Sequence, residues 1–249
     1  MAQEEPCWGE ERIASELLVK MGIRVSPRTV RKYMPTPPAG QLRGDQRWST
    51  FLKNHASAIL ARDFFVTVTA TFKLLYVFVV IEHGSCRLVR VDVTAYPSAD
   101  WVLQQMREVV GIDSAHRYLL HDRDSIFAQH LDESIKALGL KVLKSPPRSP
   151  RANSICERVI GTIRGECLDW MIPLTEAHLR AILKTWVAHY NGGRPHSSLG
   201  PGVPGPPHPE WVNTKPSSFR HRIGEGVAVR SKFVLGGLHH EYFLAPATA

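Results

Sequence analysis

The chain has 249 residues, of which 43% are hydrophobic and 22% charged, a composition typical of a globular protein rather than of a disordered chain. The longest uninterrupted apolar run, residues 74–81, is far shorter than the roughly 20 residues of a membrane-spanning helix, and the first residues do not resemble a secretory signal. We therefore expect a cytoplasmic protein without membrane association. Its four scattered cysteines form no C-x-x-C pair, which argues against a disulfide framework or a zinc knuckle, and the net charge of +8 favours an anionic partner.

The first 34 residues are predicted to form two helices joined by a tight turn. The first helix has an apolar stripe at helical spacing, which consists of Ile13, Leu17, Leu18 and Met21. Gly22 is placed to end this helix, and Ser26 followed by Pro27 is a favourable start for the next. The second helix would present four candidates for DNA contact, Arg28, Thr29, Arg31 and Lys32. This outline favours a helix-turn-helix DNA reader, although a plain helical hairpin with a basic face has the same pattern.

Prolines then predict a linker over residues 35–55, followed by a block rich in strands. Three hairpin-linked strands are expected at Asp63–Thr71, Leu74–Ile81 and Leu88–Thr94. Further short strands alternate with helices, of which the last two run from about Ser154 to Trp170 and from about Thr175 to Tyr190. We therefore predict a mixed sheet flanked by helices over residues 56–200, and a Pro-rich linker with a small β element over residues 201–249.

Basic residues are concentrated in two stretches of the chain. Residues 20–32 contain five basic residues and no acid, and residues 141–164 contain six with Glu157 as the one acid. Clustered cations suit a nucleic acid, because each neutralised phosphate releases counterions. The candidates for DNA contact in the second stretch are Lys144, Arg148, Arg151, Arg158 and Arg164.

Three carboxylates stand out against these surroundings. Asp63 is expected to open the first strand, and Asp122 to close a short strand over Tyr118–His121. A charge beside so much apolar sequence must be paired, exposed or bound to a cation. Glu157 follows Ser154 in an S-x-x-E pattern that is typical of a capping box, so a structural and a functional interpretation both remain open. The apolar face of the same helix is predicted to contain Ile155, Val159, Ile163, Cys167 and Trp170.

Carboxylates gathered among cationic residues suit a divalent cation. Oxygen ligands without His or Cys favour Mg²⁺ or Mn²⁺ over zinc. A pair of such ions can activate an attacking oxygen and stabilise the leaving oxygen of a phosphodiester. The residues therefore suggest metal-dependent chemistry on DNA.

At these residues the sequence resembles the integrase catalytic core of bacterial insertion-sequence transposases. The resemblance lies in HDRDSIF (121–127), SPPRSPRANSICERVIGTIRGECLDW (145–170) and HYNGGRPHSSLGPGVP (189–204). The segment RIASELLVKMGIRVSPRTVRKYM (12–34) is similar to the helix-turn-helix region that precedes this core. The resemblance implies an RNase H-like fold and a triad of Asp63, Asp122 and Glu157 that holds two Mg²⁺ (or Mn²⁺) ions.

The sequence departs from the family pattern beside two members of the triad. Asp124 stands where the family often has glycine, and in an extended strand it would share a face with Asp122, so it is a rival for the middle position. Arg62 is an unusual neighbour of Asp63 that could pair with the triad when metal is absent. A further segment matches the family without a clear role, and packing or DNA contact are both open for its residues His189, Tyr190, Asn191, Arg194, Pro195 and His196.

The function implied by the resemblance is that of a DDE transposase. Such an enzyme cleaves DNA at the ends of a mobile element and joins them to target DNA, as a homo-oligomer on double-stranded DNA near the bacterial nucleoid. Two alternatives are a decayed transposase that only binds DNA and a plain RNase H-like nuclease.

Overall fold

The structure is a computed structural model, and it describes residues 10–34, 48–111, 115–122, 128–144, 153–200, 202–205 and 226–247. The chain divides into two compact units, Met1–Gln46 and Arg47–Ala249. Within the described ranges, no helix combines the length and the apolar character needed to cross a bilayer.

The first unit contains two helices, α1 (Glu10–Met21) and α2 (Pro27–Tyr33). Gly22 ends α1 in the left-handed region at a φ of 68°, where glycine carries no Cβ penalty. The Ser26 hydroxyl accepts a hydrogen bond from the Thr29 N–H at 3.1 Å and so caps α2. Both predicted helices and the turn between them are therefore confirmed.

The apolar stripe of α1 differs from the predicted one. Ile13 and Ala14 are buried against Val30 of α2, whereas Leu18 and Met21 are 43% and 55% exposed. A seven-residue partner helix covers only a narrow strip of α1, so the outer part of the stripe stays uncovered.

A five-stranded sheet forms the centre of the second unit, in the order β3-β2-β1-β4-β5. Its strands are β1 (Ile59–Val68), β2 (Leu74–Glu82), β3 (Leu88–Thr94), β4 (Tyr118–His121) and β5 (Lys141–Lys144). The first three strands are antiparallel neighbours, and β4 and β5 run parallel to β1. This mixed order, an antiparallel meander followed by two crossover strands, is the RNase H-like arrangement that was predicted.

The turn between β2 and β3 lies against the chain that enters β1. A Cβ atom at Gly84 would come within 3.0 Å of the Ser57 backbone nitrogen, so a larger residue here would push the two backbones apart by a few tenths of an ångström. The His83 N–H donates to the Ile59 carbonyl at 2.9 Å, which ties the hairpin to the start of β1.

Helices cover both faces of the sheet. They are α3 (Trp48–Asn54), α4 (Ala99–Val109), α5 (Ala128–Ala137), α6 (Ser154–Glu166) and α7 (Glu176–Gly192). One face packs with α3, α6 and α7 around the fully buried Trp186, and the other packs with α4 and α5 around Met106 and Ile135. Because strand side chains alternate, Ala61 belongs to the first core and Leu60 to the second. The mixed sheet flanked by helices is therefore confirmed.

Two elements differ in their bounds from those predicted. Helix α3 occupies residues 48–54 of the segment that we expected to be a linker, because Trp48, Phe51 and Leu52 pack into the core. Strand β1 begins at Ile59, so Asp63 lies in its middle instead of opening it. The reason is that β1 is covered on both faces at its start, so Ile59 to Ala61 show no alternation of apolar and polar residues.

The start and the buried face of α6 also need correction. Asn153 is the N-cap of α6, and Ser154 is its first residue, so Ser154 and Glu157 form no capping box. Trp170 is 70% exposed in a short 3₁₀ turn beyond the helix, whereas Cys156 is fully buried and was missed. Starting the helix at Ser154 puts Cys156 in line with Val159 and Ile163 on the sheet side.

The end of α7 is tied to the rest of the second unit through side chains. Asn191 accepts from the Leu88 N–H at 3.0 Å and donates to the Leu88 carbonyl at 2.8 Å. Arg194 makes a two-pronged ion pair with Glu166 at the end of α6. His189 contacts Glu241 of the C-terminal hairpin, whose strands are β6 (Val227–Val234) and β7 (His239–Pro246), at 2.9 Å. The structure thus shows packing contacts for His189, Asn191 and Arg194, and the predicted C-terminal β element is a hairpin.

Replacement of Asn191 with alanine is expected to lower the free energy of unfolding by about 3 kcal/mol. The change leaves both backbone groups of the buried Leu88 without their side-chain partner, and each unsatisfied buried group costs about 1–3 kcal/mol. Urea unfolding measures the effect, with the exposed Gln104→Ala, expected within about 0.5 kcal/mol of wild type, as the control. An unchanged stability of Asn191→Ala would contradict this anchoring role.

The free energy of unfolding should fall as the pH rises above about 9. Burial raises the pKa of the Cys167 thiol to about 12, whereas an unfolded thiol ionises near 8.5. Between these values the unfolded chain releases a proton that the folded chain keeps, so the stability that is full below the lower value is lost as pH rises. Denaturant unfolding at several pH values should show a shallower decline for Cys167→Ala, and an equal decline would contradict the burial of this thiol.

Candidate active site

Two of the predicted carboxylates lie near the neighbouring parallel strands β1 and β4. The register of these strands pairs Ala61 with Leu120; two residues further along the chain are Asp63, within β1, and Asp122, directly after the last residue of β4. Ala61, Phe65 and Leu120 all pack in the core on the α6 side. Because side chains alternate along a strand, Asp63 and Asp122 belong to this same face.

The first turn of α6 lies over this part of the sheet. Asn153, only 1% exposed, donates from its side-chain nitrogen to the Arg62 carbonyl at 3.2 Å. Burial raises the pKa of the Cys156 thiol well above its usual value, and the negative charges of Asp63 and Asp122 raise it further. Both carboxylates are therefore near enough to this thiol, at the start of α6, to affect its pKa.

Glu157 follows Cys156 directly along the chain. It is exposed, on the side of α6 that faces away from Val159 and Ile163. The helix thus presents Cys156 to the sheet and Glu157 to solvent at its first turn. Asp63 is half-buried in the strand, where its Oδ1 accepts from the Phe64 N–H at 2.7 Å.

The chemical character of these groups suits a hard cation. Asp63, Asp122 and Glu157 offer carboxylate oxygens alone, the donors that Mg²⁺ and Mn²⁺ prefer. The neighbouring Cys156 is kept protonated by its raised pKa and so does not compete as a thiolate ligand. In the part of the chain that the structure describes, no three His, Cys, Asp or Glu side chains are grouped closely enough to hold a metal ion.

Some of the predicted residues lie outside the described ranges. These are the rival acid Asp124 and the two candidates for DNA contact Arg148 and Arg151. Arg62 is 8% exposed and alternates with Asp63, so it belongs to the α5 side of β1. Its positive charge lowers the pKa of His121 on that side, in addition to the larger effect of burial.

The other cationic candidates fall into two groups. On α2, Arg28, Thr29, Arg31 and Lys32 are all exposed, and Arg31 lies 3.9 Å from Glu10. On α6, Arg158 is exposed one residue after Glu157, and the Arg164 guanidinium lies over the Phe65 ring at 5.5 Å.

Sequence reasoning missed a buried polar network behind Asp122, on the α5 side of the sheet. His121, 4% exposed, lies 2.6 Å from the Asp122 carbonyl through Nδ1 and 3.1 Å from Asp132 of α5 through Nε2. Lys144 of β5 pairs with the second oxygen of Asp132 at 2.6 Å. The one signal in the sequence was a histidine next to the middle acid.

Comparisons with known proteins agree with the predicted resemblance. Residues 138–204 match the model of the integrase core domain. The chain is 38% identical over 64 residues to an uncharacterized 39.2 kDa protein of insertion element IS476 from Xanthomonas euvesicatoria. This alignment covers 25% of this chain and 18% of that protein. It is 36% identical over 69 residues to an uncharacterized 31.7 kDa protein of insertion element IS407 from Burkholderia multivorans, 28% of this chain and 25% of that protein. The matches therefore span a quarter or less of the length of these relatives.

Solved structures with a similar shape include two integrase-related chains. One belongs to the simian T-cell lymphotropic virus intasome in complex with the PP2A regulatory subunit B56 gamma, with 13% identity, a TM-score of 0.47 and coverage of 76% of this chain and 67% of that one. The other is the catalytic core domain of BIV integrase, with 18% identity, a TM-score of 0.43 and coverage of 59% and 91%. Because both scores are below 0.5, the fold class rests on the strand order.

The matched residues 138–204 contain β5, α6 with Glu157, and α7. The family segment after Glu157 is also the part that anchors α7 to β3 through Asn191. Over this matched region, the chain is similar to the integrase core domain and to proteins of bacterial insertion elements.

Proposed function

We propose that the protein is a DDE transposase that cleaves double-stranded DNA at the ends of a mobile element and joins the ends to target DNA. The observation that carries the proposal is the placement of Asp63 and Asp122 on neighbouring strands, both acting on Cys156 beside Glu157. A paired-strand carboxylate site next to a third acid on a helix is suited to phosphodiester chemistry.

In this proposal Asp63, Asp122 and Glu157 would hold two Mg²⁺ or Mn²⁺ ions. When bound, such ions activate an oxygen nucleophile and offset the charge that develops on phosphodiester oxygens. Asp63 is held within β1, Asp122 directly follows the last residue of β4, and Glu157 comes from the first turn of α6. Rigid elements of this kind preserve the geometry that an in-line displacement requires.

Among the described residues, the thiol that is influenced by both aspartates is not a suitable nucleophile for a covalent protein intermediate. It belongs to Cys156, whose pKa is raised by burial and by the negative charges of Asp63 and Asp122, so it stays protonated. A protonated thiol is a weak nucleophile. We therefore assign the attack to water in cleavage and to the freed DNA 3′ hydroxyl in joining, without a Ser, Tyr or Cys intermediate.

Cationic residues would hold the DNA on both units. Arg158 and Arg164 on α6 are proposed to contact the strand that enters the site, together with Arg148 and Arg151, whereas Lys144, the other candidate of this stretch, is paired with Asp132 on the opposite face of the sheet. The exposed face of α2, with Arg28, Thr29, Arg31 and Lys32, is proposed to contact the terminal repeat. We further propose residues 1–34 as the DNA-reading segment, 35–55 as a linker region that contains α3, 56–200 as the core and 201–249 as the C-terminal part. Joining two element ends requires more than one active site, so we propose a homo-oligomer on DNA.

Strand transfer by the purified protein is the test of this function. A labelled duplex that carries an end of the element encoding the chain is incubated with a target plasmid in Mg²⁺, in Mn²⁺ or in EDTA. We expect joined product that requires the metal, with losses of at least about 100-fold for Asp63→Asn, Asp122→Asn and Glu157→Gln.

Two controls make the assay specific. Glu133→Gln changes another exposed helical acid and should leave joining unchanged. Asp124→Asn tests the rival acid, and a loss there with normal joining by Asp122→Asn would reassign the middle position. Salt-sensitive DNA binding without joining by the wild type would favour the decayed remnant, and cleavage of RNA–DNA hybrids without joining would favour the nuclease.

The salt dependence of DNA binding tests the assignment of Arg158. Binding becomes weaker as salt increases, and each phosphate contact contributes about −0.9 to the slope of log K against log salt concentration. If Arg158 contacts a phosphate, Arg158→Ala should make this slope less steep by about 0.9. Lys184→Ala, an exposed lysine on α7, is the control for loss of one positive charge. Equal slopes for the wild type and Arg158→Ala would remove Arg158 from the DNA interface.

A further inference from the structure

The buried network behind Asp122 joins three elements of the core. His121 is the last residue of β4, Asp132 lies in α5 and Lys144 ends β5. His121 and Asp132 are 4% and 7% exposed, so both polar side chains are almost fully withdrawn from water. Burial of polar groups costs free energy unless they are well paired. The network therefore differs from a surface ion pair, in which both charged groups stay in contact with water.

The contacts of His121 converge on the backbone of Asp122. A carbonyl oxygen can only accept, so Nδ1 of His121 carries the hydrogen in its 2.6 Å contact with the Asp122 carbonyl. On its other side the ring is held by Asp132 at 3.1 Å, and Asp132 is held in turn by Lys144 at 2.6 Å. Both ring nitrogens thus have a polar neighbour, and a hydrogen bond between Nε2 and Asp132 requires one further proton, shared by these two groups.

This contact acts at the point where the sheet stops guiding the chain. The ladder between β4 and β5 ends at the pair His121 and Lys144, one residue before Asp122. The direction of the Asp122 side chain depends on the backbone torsions of this residue, and the bond to its carbonyl restrains them. Asp122 projects toward α6, while His121 restrains it from the opposite face of the sheet.

We propose that His121 is a positioning residue for Asp122, and that Asp132 and Lys144 hold it in place. The inference rests on the proposed function, in which Asp122 is a metal ligand. Groups that orient a ligand in this way typically change metal affinity 10–100-fold when they are removed. Asp132 and Lys144 thereby have a role in the site although neither lies on its face of the sheet.

Two substitutions of His121 separate the contact with Asp122 from the filling of space. The side-chain amide of Asn places a donor near the position of Nδ1, and that of Gln places one near the position of Nε2. His121→Asn therefore keeps a donor for the Asp122 carbonyl, whereas His121→Gln keeps the contact with Asp132 and loses that donor. The matched control is His189→Gln, which alters another buried histidine that contacts a carboxylate, Glu241, at 2.9 Å.

The affinity of the full chain for Mn²⁺ alone, measured by electron paramagnetic resonance, is the readout. We expect His121→Gln to bind Mn²⁺ about 10–100-fold more weakly than the wild type, and His121→Asn and His189→Gln to remain within about threefold. Asp132→Asn, which weakens the hold on the ring, should lie between the two groups. Thermal unfolding of each variant confirms that it is folded.

A metal-free measurement keeps the inference testable by itself. In protein labelled with ¹⁵N-histidine, the wild type should show a slowly exchanging N–H resonance on Nδ1 of His121. Absence of that resonance, or equal Mn²⁺ affinity of folded His121→Gln and the wild type, would overturn the positioning role while leaving the proposed function intact. A wild type that binds no Mn²⁺ would overturn the metal site of the proposed function and this inference with it.

Discussion

The parallel pairing of β1 with β4 is the constraint on which the rest of the candidate site depends. It sets Asp63 and Asp122 side by side on one face of the sheet, beyond the paired Ala61 and Leu120. Two carboxylates next to an apolar core repel each other, and this arrangement is unfavourable unless they are solvated, hydrogen-bonded or bridged by a cation. In the proposed function a divalent cation would offset this repulsion, and Glu157 in the first turn of α6 would be its third carboxylate.

The packing of α6 and α7 keeps this arrangement together from the outside. Asn153 anchors the start of α6 to the Arg62 carbonyl, Arg194 pairs with Glu166 at its end, and Asn191 fastens α7 to the edge strand β3. These contacts give a physical reason for the family segment after Glu157. Its polar residues hold the two helices over the sheet, and this support is indirect with respect to DNA.

The sequence predicted the mixed sheet and its flanking helices because their signals are local. The apolar run of β2 and the Ser26–Pro27 start of α2 each depend on a few neighbouring residues. Asp63 was assigned to the right strand but to the wrong place in it, because the buried start of β1 shows no alternation. The S-x-x-E pattern suggested a capping box, yet tertiary packing of Cys156 selects Asn153 as the cap.

The network of His121, Asp132 and Lys144 could not be predicted from the sequence. Its members come from β4, α5 and β5, and they meet only through the crossover connections of the parallel strands. The spacing of apolar and polar residues within one helix or strand does not indicate which side chains of other elements it will contact. The proposed site likewise involves both faces of the sheet. Its carboxylates belong to one face, and the side chains proposed to restrain Asp122 belong to the other.

The most direct test of the account is a crystal structure of the full chain grown with Mn²⁺, with anomalous scattering used to locate the ions. We predict anomalous peaks bound by the carboxylates of Asp63 and Asp122, with Glu157 completing the site. Manganese bound elsewhere in the protein, or held by Asp124 with Asp122 turned away from it, would contradict the account.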